Sequence, residues 1–273
     1  MEKTENNAQT IDLQQIVESR AGKGRIPRFA IRWMEKFLHV DLINEYLSQG
    51  YEGVDFCEKC LEFLDVDVKV EGLERLDAFP EGAKFTFASN HPLGGIDGIT
   101  LGKVFGRRFD GRIRYLVNDF LMNIKGLAPM CVPINIIGSQ SRDLPRLIDE
   151  AFASDDNIII FPAGLCSRKI DGRIQDREWG KAFVSKSVRN GRYIVPVHFI
   201  GENSKRFYRI ATLCKRLKLK FNFAMLCLPD EMYRGMHGSY TVKIGDPVPA
   251  EKFDKSKTPY EWAQWVREEV YKL

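Results

Sequence analysis

The sequence has little of what most metal-binding and nucleophile-based architectures display. Only four of its 273 residues are histidine and six are cysteine. The cysteines form no framework of pairs, and Cys57 and Cys60 make a lone C-x-x-C with no second pair and no histidine beside it, so buried structural thiols are expected there ahead of metal or redox chemistry. No run approaches the roughly 18 consecutive apolar residues of a membrane span. The polar start, Met1 to Thr10, lacks the apolar core of a signal peptide. The expectation is therefore a cytoplasmic chain. There is no G-x-S-x-G elbow, which removes the commonest serine nucleophile, and no self-similar period, which removes solenoids and propellers. A net charge of +4 is too mild to imply nucleic acid by itself.

What is present suits a folded globular chain. Hydrophobic residues make up 44% and charged residues 29%, enough to build a core and far from the composition of a disordered chain. The first ten residues read as frayed, and from Ile11 to about Asp65 the pattern is helical, interrupted at Gly22-Lys23-Gly24 and around Gly50 to Gly53. Val66 to Val70 then alternates with period two. Further strands are expected at Lys84 to Ala88, Ile113 to Val117, Cys131 to Ile137, Asn157 to Phe161 and Tyr193 to Phe199. Helical patterns at Ile99 to Phe105, Leu144 to Phe152 and Trp179 to Val188 separate them, and Thr258-Pro259 with Glu261 opens a packed C-terminal helix. The fold class expected is α/β, with a mixed, largely parallel central sheet flanked by helices and an N-terminal helical segment. The division expected is a helical segment over 1–65 and an α/β domain over 66–273.

Two stretches combine positive charge with apolar residues. Between Arg25 and Leu47, Phe29, Trp33, Phe37 and Val40 recur at helical spacing while Arg25, Arg28, Arg32 and Lys36 supply charge. This segment either lies on a membrane surface or packs on the core with a solvated basic face. Lys205 to Lys220 holds Lys205, Arg206, Arg209, Lys215, Arg216, Lys218 and Lys220 and no acidic residue, interleaved with Phe207, Tyr208, Ile210, Leu213, Leu217 and Leu219. An anionic membrane surface or an acidic protein partner fits it better than nucleic acid, and a solvated basic helix is the plain alternative.

The histidines differ in setting. His39, His198 and His237 have no partner evident from sequence. His91 lies in Ser89-Asn90-His91-Pro92-Leu93-Gly94-Gly95-Ile96-Asp97-Gly98, after a strand and before a helix, where ligand sites of α/β sheets gather. Asp97, six positions on, can turn back to the imidazole. A neutral imidazole takes a proton from a hydroxyl near pH 7, and a carboxylate on its other nitrogen fixes the tautomer. That is a base and its orienter without a built-in nucleophile, so the substrate's own hydroxyl would attack. A histidine packed in a tight glycine turn fits these ten residues equally well. A second segment, from Phe161-Pro162-Ala163-Gly164 through Cys166 to Arg168 and Lys169, again brings cations to the end of a buried strand, a setting that can hold an anion.

Over roughly Val66 to Gly201 these blocks, in this order, resemble the glycerolipid acyltransferases typified by 1-acylglycerol-3-phosphate acyltransferase. Asn90-His91 is similar to that family's Asn-His, which is followed after four intervening residues by Asp; here five residues intervene before Asp97. Phe161-Pro162-Ala163-Gly164 resembles the Phe-Pro-Glu-Gly-Thr-Arg block, with Ala163 in place of Glu and Cys166 in place of Arg. Trp179 to Phe183 and Ile194-Val195-Pro196-Val197 resemble later blocks. A basic residue expected near the Cys131 to Ile136 strand is missing, with Arg142 the nearest substitute.

The resemblance implies transfer of a fatty acyl group from a thioester, acyl-ACP (acyl carrier protein) or acyl-CoA, to the hydroxyl of a lyso-lipid at a membrane surface. The cytoplasmic face of the inner membrane is the implied place. It implies His91 as base and Asp97 as its orienter. Asn90, Gly94, Gly95, Phe161, Pro162, Gly164, Arg168 and Lys169 would line the substrate, with no bound cofactor and no metal. Because the anion block is altered, the acceptor is lysophosphatidate or the lyso-form of an amino-acid lipid, such as an ornithine or glycine lipid carrying a 3-hydroxyacyl amide. Two other readings stay open: an acyl-thioester on Cys166, and a non-catalytic lipid- or carrier-binding protein that keeps the fold.

Overall fold

The computed structural model describes residues 9–15, 18, 26–118, 124–135, 144–218 and 223–273. The expected fraying of residues 1–8, the interruption at Gly22 to Gly24, Arg25, the strand end Ile136 and Ile137, Arg142, and Leu219 and Lys220 lie outside them.

Seven strands form one sheet in the order β1-β9-β8-β2-β5-β3-β4: β1 (Asp67–Glu71), β2 (Phe85–Ser89), β3 (Ile113–Asn118), β4 (Cys131–Asn135), β5 (Asn157–Ile160), β8 (Tyr193–Ile200) and β9 (Ser239–Ile244). Every neighbouring pair is parallel except β8 with β9. The mixed, largely parallel sheet is thus as the pattern of buried apolar runs implies, since a strand covered on both faces has no polar face to show. β9 is an addition that the sequence reading did not single out. A separate antiparallel hairpin joins β6 (Arg168–Ile170) to β7 (Arg173–Gln175). Its turn, Asp171-Gly172, places both residues at positive φ, the two-residue geometry that matches strand twist.

The described helices are α1 (Arg28–Phe37), α2 (Val40–Leu47), α3 (Gly53–Phe63), α4 (Ile96–Arg108), α5 (Leu144–Ala153), α6 (Ala182–Arg189), α7 (Lys205–Arg216), α8 (Leu228–Arg234) and α9 (Pro259–Lys272). Trp179, expected to begin a helix, instead lies buried ahead of α6. Helix α9 carries the expected capping box, with the Glu261 amide donating to Thr258 Oγ1 at 3.3 Å and the Thr258 amide donating to Glu261 Oε2 at 2.7 Å. Helices α3 and α4 meet closely because α4 offers Gly102 and Gly106, where an added Cβ would lie 2.5 Å from Cys57 Sγ and 2.6 Å from a Val54 methyl. Cys57 and Cys60 are accordingly core thiols whose burial pushes both well above the ordinary thiol range, Cys60 to about 12. They share one cluster with Tyr46, Leu47, Phe87 and Val195, so α2 and α3 pack into the same core as the central strands.

The run from Arg28 to Leu47, which looks continuous in sequence, breaks at His39, whose φ of 53° is left-handed. Conformations of that kind are disfavoured for residues with a side chain and persist only when their surroundings hold them. Here His39 Nε2 lies 2.9 Å from Asp230 Oδ1, and the ring rests against Tyr233 with centroids 4.8 Å apart. Asp230 also accepts from Arg234 at 2.7 Å and from Arg206. Its burial alone would raise its pKa, but these three partners outweigh that and hold it at about 2. His237 likewise has a partner, Asp65 Oδ2 at 2.7 Å. Sequence separations of 191 and 172 residues hid both pairs. In His198, by contrast, burial and then Lys243 pull the imidazole down to about 4, and Nδ1 is unpartnered.

The end of α5 depends on Arg192, whose side chain is fully buried. Its guanidinium donates to the carbonyls of Phe152 at 2.7 Å, Asp156 at 2.8 Å, Ser154 at 2.6 Å, Phe85 at 3.3 Å and Ala151 at 3.4 Å. Helix-terminal carbonyls have no intrahelical partner, and buried ones left unsatisfied cost about 1 to 3 kcal/mol each. Arg192→Met is therefore expected to lower stability by at least about 3 kcal/mol, read as a fall in the urea midpoint. A midpoint equal to that of the parent would show that the capping role is wrong.

Candidate active site

The central strands β2 and β5 run parallel, with Ala88 opposite Ile160. Their carboxyl ends therefore open on the same edge, and the residues just beyond them meet: the His91 ring stacks on Phe161 with centroids 4.0 Å apart and planes inclined by 25°. On the other side of β2, Ser89 pairs with Val197 of β8. Asn90 continues that ladder with its side chain, donating to the Phe199 carbonyl at 2.9 Å and accepting from the Phe199 amide at 2.7 Å. Both ends of this buried amide are used by the sheet.

Asp97 lies in the first turn of α4 with 0% of its surface exposed. Its Oδ2 is 3.0 Å from His91 Nδ1 and accepts the amides of Leu93 at 2.9 Å and Gly94 at 3.2 Å, while Oδ1 accepts the Gly98 amide at 2.9 Å. Gly94, at a φ of 80°, makes the turn that aims these amides inward. The longer spacing between His91 and Asp97 is absorbed in that turn. Because Asp97 accepts at Nδ1, the imidazole carries its proton there and keeps the Nε2 lone pair. Burial alone would lower the His91 pKa, but the charge and hydrogen bond of Asp97, followed by the charge of Asp176, outweigh it, and His91 stands above its usual value. For Asp97, burial opposes ionisation, and His91 with the loop amides more than compensates, so its pKa is lowered.

The other candidate residues fall at different distances from this pair. Gly94 and Gly95 line the turn; an added Cβ would meet Cys166 Sγ at 2.4 Å at the first and Met232 Sδ at 3.4 Å at the second. Pro162 accepts the Gly180 amide at 2.9 Å, which ties the Trp179-Gly180 block to the loop. Gly164 is exposed, at a φ of 68°. Arg168 Nη1 donates to the carbonyls of Cys166 at 2.7 Å and Ser167 at 3.1 Å, its guanidinium lies 5.3 Å over Phe207, and Nη2 is buried without a hydrogen-bond partner. Lys169 points into solvent from the hairpin. Asp176, which the sequence reading passed over, is fully buried and accepts the His91 amide at 3.3 Å.

A model of a family described as Acyltransferase matches residues 16–273. The chain belongs to that acyltransferase family. Among curated proteins, the acyltransferase is 52% identical to the lyso-glycine lipid O-acyltransferase of Phocaeicola vulgatus, over 99% of this chain and 97% of the relative. It is 50% identical to the lyso-glycine lipid O-acyltransferase of Bacteroides thetaiotaomicron, over 99% of this chain and the whole of the relative. Its fold is similar to the crystal structure of the 1-acyl-sn-glycerophosphate acyltransferase of Thermotoga maritima, with a TM-score of 0.51 and 18% identity over 94% of this chain and 87% of that one.

In the acyltransferase, Cys166 is a poor nucleophile. It is buried under Gly94, and burial, reinforced by the charge of Asp97, pushes the thiol up to about 12, so almost none is thiolate near pH 7. Cys166→Ala should keep turnover within about fivefold of the parent, the cost being a small packing defect. Loss of turnover to the level of a His91→Ala variant would instead revive the thioester route.

Proposed function

We propose that this acyltransferase moves a fatty acyl group from the thioester of acyl carrier protein or coenzyme A to the free hydroxyl of a lyso-glycine lipid. The observation that carries the acceptor is the 52% and 50% identity, across nearly full length, to two enzymes named for that substrate. The site's chemistry fits. An N-acylated glycine presents one carboxylate and no phosphate, and the loop that would otherwise supply a glutamate and an arginine has Ala163 and Cys166. Arg168, with Nη2 unpartnered, supplies one cation beside the His91 loop, enough for a carboxylate.

In this reading His91 Nε2 takes the proton of the acceptor hydroxyl while Asp97 holds Nδ1–H. The alkoxide oxygen adds to the thioester carbonyl, the C–S bond then breaks, and the departing sulfur takes the proton from the imidazolium. The amides of Leu93, Gly94 and Gly98 are already engaged by Asp97. That leaves the amides of Gly95, Ile96 and Asp97, at the start of α4 and without an intrahelical acceptor, for the tetrahedral oxyanion.

The same reading places the enzyme on the cytoplasmic face of the inner membrane. Among the described residues no helix is long and apolar enough to cross a membrane. Helices α1 and α7 instead meet at Phe37, and each carries exposed apolar and basic residues. Trp33 stacks on Phe37 with centroids 5.4 Å apart, and Phe37 lies under the Arg206 guanidinium and packs on the cluster that holds Phe207 and Tyr208. On the two helices Phe29 is 77%, Trp33 66%, Leu213 55% and Leu217 60% exposed, and Arg28, Arg32, Lys36, Arg209, Lys215 and Arg216 are exposed as well. Large apolar side chains held in water among cations fit the boundary of an anionic bilayer.

Two experiments test this. Purified enzyme given labelled acyl-ACP or acyl-CoA and vesicles carrying lyso-glycine lipid, lyso-ornithine lipid or lysophosphatidate is expected to acylate the glycine lipid best. His91→Ala is expected to lose about 10³-fold. Preference for lysophosphatidate would defeat the acceptor assignment, and retained turnover in His91→Ala would defeat the base. In co-sedimentation, Phe29→Glu/Trp33→Glu and Leu213→Glu/Leu217→Glu should each cut binding to anionic vesicles by more than about tenfold, with neutral vesicles bound weakly by the parent. Unchanged binding in both variants would remove the face from consideration.

A further inference from the structure

Asp176 follows β7, 85 positions after His91, yet it is bonded to the histidine's own peptide. Its Oδ1 accepts the His91 amide at 3.3 Å and the Ser167 hydroxyl at 2.6 Å, and the Ser167 amide donates to the His91 carbonyl at 2.7 Å. The three groups thus close a ring: the His91 N–H to the Asp176 carboxylate, that carboxylate to the Ser167 hydroxyl, and the Ser167 N–H back to the His91 carbonyl. The other oxygen, Oδ2, accepts Trp179 Nε1–H at 3.0 Å, and the Asp176 amide donates to the Tyr271 hydroxyl of α9 at 2.7 Å. Ser167, Asp176 and Trp179 are all buried.

We propose that Asp176 is a positioning residue for His91, clamping the His91 peptide and the Cys166–Arg168 segment into one unit and keeping a second negative charge beside the imidazole. The proposal rests on the reading of His91 as the base. Burial pushes the Asp176 carboxyl above its ordinary range, and the three donors that converge on it, with the charge of His91, work against that and favour its ionised form. Its carboxylate is bonded to the His91 peptide and lies near enough to the imidazole for its charge to favour the protonated ring. Asp176 itself takes no proton in the reaction. The charged and titratable groups around the pair are Asp97 from α4, Cys166 and Arg168 from the strand-end loop and β6, and Arg267 and Tyr271 from α9. Of these, Arg267 donates to the Asp176 carbonyl at 2.6 Å.

The test separates charge from ring. Asp176→Asn removes the charge and keeps the size; Ser167→Ala opens the ring and keeps the charge. In protein without substrate, the His91 ring titration followed by NMR is expected to move to lower pH in Asp176→Asn, by about 0.5 or more, and to stay in place in Ser167→Ala. With substrates, kcat is expected to fall by about 10- to 100-fold in Asp176→Asn and about tenfold in Ser167→Ala. KM for the acyl donor should stay within about threefold, and the acidic limb of the pH profile should shift downward only in Asp176→Asn. A folded Asp176→Asn with an unmoved His91 titration and kcat within twofold of the parent overturns the proposal. Should Asp176→Asn fail to fold, Ser167→Ala decides, and kcat within twofold of the parent there also overturns it. A moved titration in an enzyme that acylates none of the lyso-lipids supports the clamp and counts against the acceptor assignment instead.

Discussion

The arrangement around the sheet edge depends on a buried charge. Taking an ionised carboxylate out of water costs several kcal/mol unless its oxygens find donors. Asp97 finds four, from the imidazole of His91 and the amides of Leu93, Gly94 and Gly98. Those amides converge only because Gly94 turns through a conformation that a side chain would oppose, and because α4 begins where its unpaired N–H groups and positive dipole end surround the carboxylate. The turn, the helix start and the histidine tautomer therefore form one structure. A residue inserted between His91 and Asp97 can be tolerated for the same reason: the amides set the position of the carboxylate, and the chain between them bulges to suit.

How much of this was legible in the sequence follows from how local each interaction is. The His91–Asp97 pair spans six residues between a strand and a helix, so its two elements and its turn could be read together. The buried strands were legible as short apolar runs, and the parallel order of the central ones followed from the helices between them. Asp176 was not legible, because its bond to His91 crosses 85 positions and needs the 161–176 segment to fold back over the strand ends. The strands β6 and β7, three residues each, are too short to carry a period, although Asp171-Gly172 is a turn signature. β9 does alternate, but its place beside β1 depends on pairing between residues 67 and 239, which no local pattern encodes.

Asn90 shows how a motif residue divides between two roles. It stands next to His91, and the family resemblance groups it with the substrate, yet its amide is bonded at both ends to Phe199. Those two bonds fix the amide in the sheet, so a ligand would meet only the one N–H and the one lone pair that they leave over. Its contribution is better understood as holding β8 against the loop, so that the peptide of His91 leaves the sheet at a fixed angle. Asp176 is bonded to the amide of the next residue, His91.

The two basic, apolar stretches were each ambiguous alone, since a solvated basic helix and an interfacial one have the same composition. Packing removes part of the ambiguity. Each helix turns buried residues to the core, α1 Ile31 and α7 Phe207, Tyr208, Ala211 and Cys214, and among the described residues the outward aromatic and leucine side chains stay exposed. The kink at His39 and its bond to Asp230 hold α1 beside α7, because Asp230 also anchors Arg206 at the start of α7. The inner side of that same helix pair reaches the site directly: Phe207 lies under Arg168, and Cys166, in the same cluster, lies against Gly94 of the His91 turn. The cluster of Cys166, Phe207 and Tyr208 thus connects the α1–α7 pair to the turn that carries His91, so packing of those two helices bears on the position of the Arg168 loop.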